Sequence, residues 1–233
     1  MSKIISLLKN ILNKKFGIFI THVNPQFKED IFHRVLTLHT HILHIGANRG
    51  QEALYYDSLN LNVLWVEADP QVETELSKHI EKFKNQKSIA ALLLDKSGLE
   101  KEFNVFNNSG LSSSIFNLAD NHGFEKLNLQ VSEIKLLKSS TIDELFASMN
   151  LNAYTHWVLD VQGSELLVLQ GATKSLGYCR SMTVEVSTRE VYRGGVSYNN
   201  LKDYLGNHGF YPLWEPELDH HCEIIFLKNL SNN

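Results

Sequence analysis

The chain has 233 residues, of which 43% are hydrophobic and 21% charged, and its formal net charge is -4. That balance excludes a disordered chain and suits one well-buried domain, while the acidic surplus argues against a nucleic-acid partner, which calls for a basic stripe. The two cysteines, Cys179 and Cys222, form neither a CxxC pair nor a zinc array and read as reduced core thiols.

At the N-terminus Lys3 precedes Ile4, Ile5, Leu7, Leu8, Ile11 and Leu12. Lys9 interrupts the run, Lys14 and Lys15 follow it, and no small-residue cleavage site appears, so we do not read a secretion signal and expect a cytoplasmic protein. The spacing instead puts the apolar residues on one face of an amphipathic helix. Packing on the domain is the leading reading for residues 3–15, and weak contact with a membrane surface is the second. Residues 1–40 are expected to form a helical extension, and 41–233 the main domain.

From residue 41 onward, short apolar runs alternate with helical patterns, which is how a parallel sheet with crossover helices is written. Strands are expected at Ile42–Ile45, Asn62–Val66, Ile89–Leu94, His156–Leu159 and Met182–Val186. Helices are expected at Gln51–Leu59, after Asp69-Pro70, after Thr141 with Glu144 in capping-box spacing, and at Ser164–Leu176. Phe210–Trp214 and Glu223–Leu227 are joined by a segment too short for a crossover helix and should pair antiparallel. Residues 96–140 break the alternation, with extended runs Lys101–Phe106 and Leu129–Leu137 around a Gly/Ser/Asn-rich loop. We read them as an insertion suited to recognising a substrate.

Gly46 and Gly50 stand where the first strand hands over to a helix, and glycine there permits a sharp turn and a close ligand approach. Glu67 ends the second strand at the offset of a carboxylate that accepts both ribose hydroxyls, and Asp95 follows the third strand where an adenine amino group would lie. These strand ends suit a dinucleotide or adenosylmethionine. Gly46-Ala47-Asn48-Arg49-Gly50 lacks the third glycine of a pyrophosphate loop, which favours a cofactor without phosphates over a nicotinamide-dependent oxidoreductase. Asp160, at the end of the fourth strand, is the leading candidate to position or deprotonate an acceptor hydroxyl, with Glu185 beside it at the end of the fifth. The alternative is structural: Asp160 as a helix cap, and Glu165 or Glu185 paired with a base.

GANRG, VEADP, LLLD, SGLSSS, LDVQGSEL, VEVSTREVY and HGFYPL occur in this order from about His41 to the C-terminus. Together they resemble the FkbM family. The resemblance implies a doubly wound α/β fold like the class I methyltransferases, with a seven-stranded, mostly parallel sheet and an antiparallel C-terminal hairpin. It also implies S-adenosylmethionine as cofactor and methyl transfer to a hydroxyl of a small-molecule or glycan acceptor. By the same resemblance Gly46, Ala47, Asn48 and Gly50 line the methionine end, Glu67 the ribose, Asp95 the adenine region, and Ser113, with Ser112 and Ser114, a loop near the cofactor. Tyr192 and Tyr198 are candidate acceptor contacts.

One position departs from the family. His44 stands where a carboxylate is usual, and a neutral imidazole cannot hold the cofactor's ammonium group, so either His44 bonds through backbone or water or the ammonium is held elsewhere. This departure also motivates a non-catalytic nucleotide-binding scaffold as the alternative function. His208, His220 and His221 have no metal-site spacing, and magnesium on Asp160 and Glu185 is not required, so no metal is expected.

Overall fold

The computed structural model describes residues 25–120, 123, 125–216 and 221–229, so the amphipathic stretch at 3–15 and His220 lie outside the described residues. Helix α1 (Pro25–Leu36) leads into β1 (His41–Ile45), α2 (Ala53–Ser58), β2 (Asn62–Glu67) and α3 (Pro70–Ile80). Helix α3 begins as its sequence predicts. Asp69 Oδ1 accepts a hydrogen bond from the Gln71 N–H at 2.9 Å, and Pro70 opens the first turn, where its missing N–H costs nothing.

The apolar run Ile89–Leu94 is not one strand. β3 (Gln86–Ala90) lies beside β2, Ala91 donates its N–H to the Glu67 carbonyl at 2.8 Å, and β4 (Leu92–Leu93) then pairs with β6 (Val131–Ser140). The insertion supplies β5 (Glu100–Phe106) and β6, which pair antiparallel with a register shift between Val105 and Phe106. The small sheet β4-β6-β5 is tied to the main body by Lys135, whose Nζ lies 2.8 and 2.7 Å from the two Asp69 oxygens and 2.8 Å from Gln71 Oε1. Both ends of the Lys135–Asp69 pair are largely buried, so removing one partner would strand the other charge away from water.

The chain continues through α4 (Ile142–Met149), β7 (His156–Leu159), α5 (Glu165–Gln170), β8 (Ser181–Ser187), α6 (Tyr198–Asn207), β9 (Phe210–Pro212) and β10 (His221–Lys228). At the start of α4, Thr141 Oγ1 accepts the Glu144 N–H at 3.2 Å, while the Glu144 carboxylate turns to Ser140 Oγ at 2.8 Å rather than closing the reciprocal half of a capping box. Helix α5 stops well short of Leu176. A Cβ on Gly171 would meet the Leu94 carbonyl oxygen at 2.1 Å, and Asp143 beyond it draws the N–H groups of Lys174 and Ser175 to its carboxylate.

The main sheet has the order β3-β2-β1-β7-β8-β10-β9. β1 pairs in parallel with β2 and β7, β2 with β3, and β7 with β8, while β10 runs antiparallel between β8 and β9. This is the expected doubly wound, mostly parallel seven-stranded sheet with its antiparallel C-terminal pair. Alternate residues of β1 feed its two faces. Leu43 and Ile45 join Trp157, Leu159, Met182 and Val184 in one core cluster, and Ile42 joins Val63, Trp65, Leu76 and Ile80 in the other. Trp65 is fully buried, and its indole N–H is satisfied by Gln86 Oε1 at 3.0 Å. No helix among the described residues is long and apolar enough to cross a membrane.

Candidate functional site

The parallel pairing of β1 with β7 sets Ile45 opposite Leu159 and so brings the next two residues, Gly46 and Asp160, together. A Cβ at position 46 would lie 1.8 Å from the Asp160 carbonyl oxygen, and φ there is +83°, so only glycine fits. The chain then turns through Asn48, at φ +43°, whose N–H donates to Glu67 Oε2 at 2.8 Å. Glu67 Oε1 accepts the Asp69 N–H at 2.9 Å. Burial pushes the Glu67 carboxyl upward while these two N–H groups act against the shift. The carboxylate keeps lone-pair capacity for a ligand hydroxyl.

These groups border a cavity with about 540 Å³ of empty space, lined by Gly46, Asn48, Glu67, Ser113, Asp160 and Gln162 together with the apolar Leu92, Leu93, Phe103 and Ile115. Ser113 Oγ is buried and has no hydrogen-bond partner among the described residues, which leaves it for a ligand. Among the described residues no lysine or arginine lines this cavity. The insertion closes over it from both sides. Arg49 Nη1 donates to the Ser109 carbonyl at 2.6 Å, and Ser114 Oγ donates to the Gln162 carbonyl at 2.7 Å.

Three of the predicted cofactor residues do not line this cavity. Ala47 packs in the core beneath the loop, and Gly50 packs against Leu76, whose Cδ1 lies 2.6 Å from where a Cβ would be. Asp95 is displaced because the third strand ends at Ala90. The chain has crossed into the small sheet by Leu92, so Leu92 and Leu93 face the cavity and Asp95 does not.

Past Asp160 the chain makes a second tight turn, with Gln162 at φ +53° and Gly163 at φ +98°. Gln162 Nε2 donates to Asp160 Oδ1 at 2.5 Å and to Glu185 Oε2 at 2.6 Å, and its Oε1 accepts from the Tyr192 hydroxyl. The neighbouring Asp160 side chain acts to hold the Glu185 carboxyl down, against its burial. Burial raises Glu185 to about 7, and the nearby Glu165 and Glu223 carboxylates add to the shift. Glu165 is likewise raised by burial to about 7, but its Oε1 serves the fold by accepting the N–H groups of Val161 and Gly163. The bridging role of Gln162 was not read from its motif. Its only sequence signal is a polar residue beside a glycine at a strand end.

Glu185, Tyr192 and Tyr198 border a second cavity of about 420 Å³, reached across Gly163. The Tyr192 hydroxyl is held by Gln162, and the Tyr198 hydroxyl donates to Glu215 Oε2 at 2.6 Å, so both tyrosines offer ring surface rather than free hydroxyls. His44 is buried against Trp65, with ring centroids 4.6 Å apart, and does not reach the larger cavity. His208 is hydrogen-bonded to the Tyr204 carbonyl at 2.8 Å.

Comparison with known proteins adds the family. The model described as Methyltransferase FkbM domain matches residues 44–212, and no curated protein matches the chain significantly. Among solved structures, the METTL16 MTase domain is 10% identical, with a TM-score of 0.50, over 91% of this chain and 70% of that one. Magnesium protoporphyrin IX methyltransferase (ChlM) from Synechocystis PCC 6803 with bound SAM is 10% identical, with a TM-score of 0.48, over 98% of both chains. Fibrillarin from Aeropyrum pernix in complex with S-adenosyl-L-methionine is 14% identical, with a TM-score of 0.47, over 81% of this chain and 66% of that one.

Proposed function

The chain belongs to the FkbM methyltransferase family and is an S-adenosylmethionine-dependent methyltransferase, and from that premise we propose that it methylates a hydroxyl oxygen of a sugar, glycan or related natural product. The observation that supports this reading is the wall formed by Asp160, Gln162 and Glu185. Asp160 and Gln162 border the first cavity and Glu185 the second, and the wall offers a carboxylate whose partner titrates near neutrality.

S-adenosylmethionine supplies a methyl group on a positively charged sulfur when bound. Gly46 and Asn48 line its methionine end, Glu67 takes the ribose hydroxyls, Ser113 gives one further hydrogen bond, and Leu92 and Leu93 flank the base. Asp160 orients the acceptor hydroxyl and receives its proton, while Gln162 and Glu185 hold that carboxylate in place. Tyr192 and Tyr198 bound the acceptor with their rings. Most of the rate enhancement is then positioning, since the leaving group is already activated.

The test is Asp160→Asn. Turnover on sugar acceptors should fall on the order of a hundredfold, as expected for loss of a general base, while calorimetric affinity for S-adenosylhomocysteine stays nearly unchanged. A fully active variant removes Asp160 from the mechanism, and methylation confined to amines or carboxylates rejects the hydroxyl acceptor.

A further inference from the structure

The second cavity, with about 420 Å³ of empty space, lies at the end of β8, where Glu185, Ser187 and Arg189 line it from every second position of the chain. Two of these residues carry polar atoms that are sealed from solvent and have no hydrogen-bond partner among the described residues, Ser187 Oγ and Arg189 Nε. Arg189 also forms no ion pair among the described residues. A guanidinium edge taken out of water and satisfied by nothing in the fold is costly, and it marks a position kept for a ligand.

The fold holds Arg189 in place. A Cβ on Gly123 would lie 1.8 Å from Arg189 Nη2 and 2.1 Å from its Cζ, so the insertion lays bare backbone against the guanidinium. Two backbone hydrogen bonds tie the insertion to the segment that follows: Ala119 donates to the Val191 carbonyl at 2.9 Å, and Arg193 donates to the Asn117 carbonyl at 2.8 Å. A planar group fixed this way loses little freedom when it binds. The acids of the same cavity are engaged elsewhere. Glu165 Oε1 accepts the N–H groups of Val161 and Gly163, Glu185 accepts from Gln162, and Glu190 Oε1 accepts the Gly194 N–H at 2.8 Å. Burial raises Glu165 and Glu185 to about 7, which reduces the negative charge that could offset Arg189.

Among the described residues Arg189 is the one lysine or arginine that lines this cavity, and it does not line the cofactor's. The fork of a guanidinium matches the two oxygens of a carboxylate or phosphate, and a neighbouring serine hydroxyl adds a further donor. We infer that the acceptor carries an anionic group, a carboxylate or phosphate on a sugar, and that Arg189 and Ser187 hold it while a hydroxyl of the same molecule meets Asp160 past Gly163. The inference rests on the reading of this cavity as the acceptor's and adds the charge of the acceptor to it.

The experiment is calorimetry on the full chain saturated with S-adenosylhomocysteine and titrated with glucuronate, glucose 6-phosphate and glucose, with thermal melting to confirm that each variant folds. At least one of the two anions should bind saturably and about tenfold or more tighter than glucose, and the preferred one separates carboxylate from phosphate. Arg189→Gln should weaken that anion roughly ten- to a hundredfold, the scale of a lost charged hydrogen bond, and leave S-adenosylhomocysteine unchanged. Arg189→Lys should restore part of the loss, because it keeps the charge without the fork. Ser187→Ala should give a smaller loss confined to the anion, a readout that does not depend on Arg189→Gln folding. Glucose binding as tightly as both anions, no binding of either anion, unchanged anion affinity in Arg189→Gln, or a loss of S-adenosylhomocysteine affinity in that variant would overturn the assignment. An anion held by Arg189 with no hydroxyl methylated would instead reject the hydroxyl acceptor and leave this site standing, whereas neutral sugars methylated equally well by wild type and Arg189→Gln would do the reverse.

Discussion

The carbonyl oxygen of Asp160 occupies the space that a side chain on residue 46 would need, at 1.8 Å from the Cβ position. This contact joins the loop after β1 to the candidate base after β7, so the cofactor turn and the acceptor carboxylate are set by one backbone approach. Gly46→Ala must move one strand end or the other and also strains a φ of +83°. We expect destabilisation of roughly 2–4 kcal/mol, in the range of severe steric and backbone substitutions, with loss of S-adenosylhomocysteine binding in the fraction that folds. Wild-type affinity and melting temperature in this variant would show that the approach is not obligatory.

The Glu185 carboxyl beside Asp160 predicts a pH dependence of turnover. Below about 7 Glu185 is neutral, and as pH rises past that value its carboxylate adds negative charge beside Asp160, which makes the pair a better proton acceptor. The kcat/KM profile should therefore rise through about 7 to a plateau. Glu185→Gln keeps a hydrogen-bond donor beside Asp160 but cannot titrate, so the limb near neutrality should vanish. Persistence of the same limb in the variant would assign it to another group.

Glu165 makes the corresponding prediction for stability. Its folded value of about 7 lies above the ordinary carboxyl value of 4.5. Below pH 4.5 the carboxyl is protonated in both states. Between 4.5 and 7 the unfolded chain releases a proton that the folded one keeps, so stability falls, and above 7 the loss is complete at roughly 3 kcal/mol. Glu185 acts in the same direction. Glu165→Gln retains an oxygen for the Val161 and Gly163 N–H groups and removes this dependence. Denaturant unfolding at pH 4.5 and pH 8 should show a smaller decline in the variant, and an equal decline would place the titration elsewhere.

Much of this architecture was legible in the chain. Apart from β3, the parallel strands of the main sheet are apolar runs of the right length, and Asp69-Pro70 and Thr141 mark helix starts that the structure contains, because caps and periodicity are local properties. Gly46, Asn48, Glu67, Ser113 and Asp160 line one cavity. Asp95 was misplaced for an identifiable reason. An unbroken apolar run from Ile89 to Leu94 does not say that its hydrogen-bonding partner changes from β2 to β6 at Ala91, since both environments are buried.

The sequence alone determined the alternation of strands and helices, the phosphate-free glycine turn and the acidic strand ends, each written within a few consecutive residues. Only the tertiary structure decided which of those ends meet. Gln162 spans Asp160 and Glu185, and His44, Glu52, Asp160 and Glu223 border one cavity, because parallel pairing and an antiparallel return strand bring residues far apart in the chain to the same edge of the sheet. Hydrogen bonds and shifted ionisation across such distances depend on ångström-scale separation and burial, which no local pattern of residues encodes.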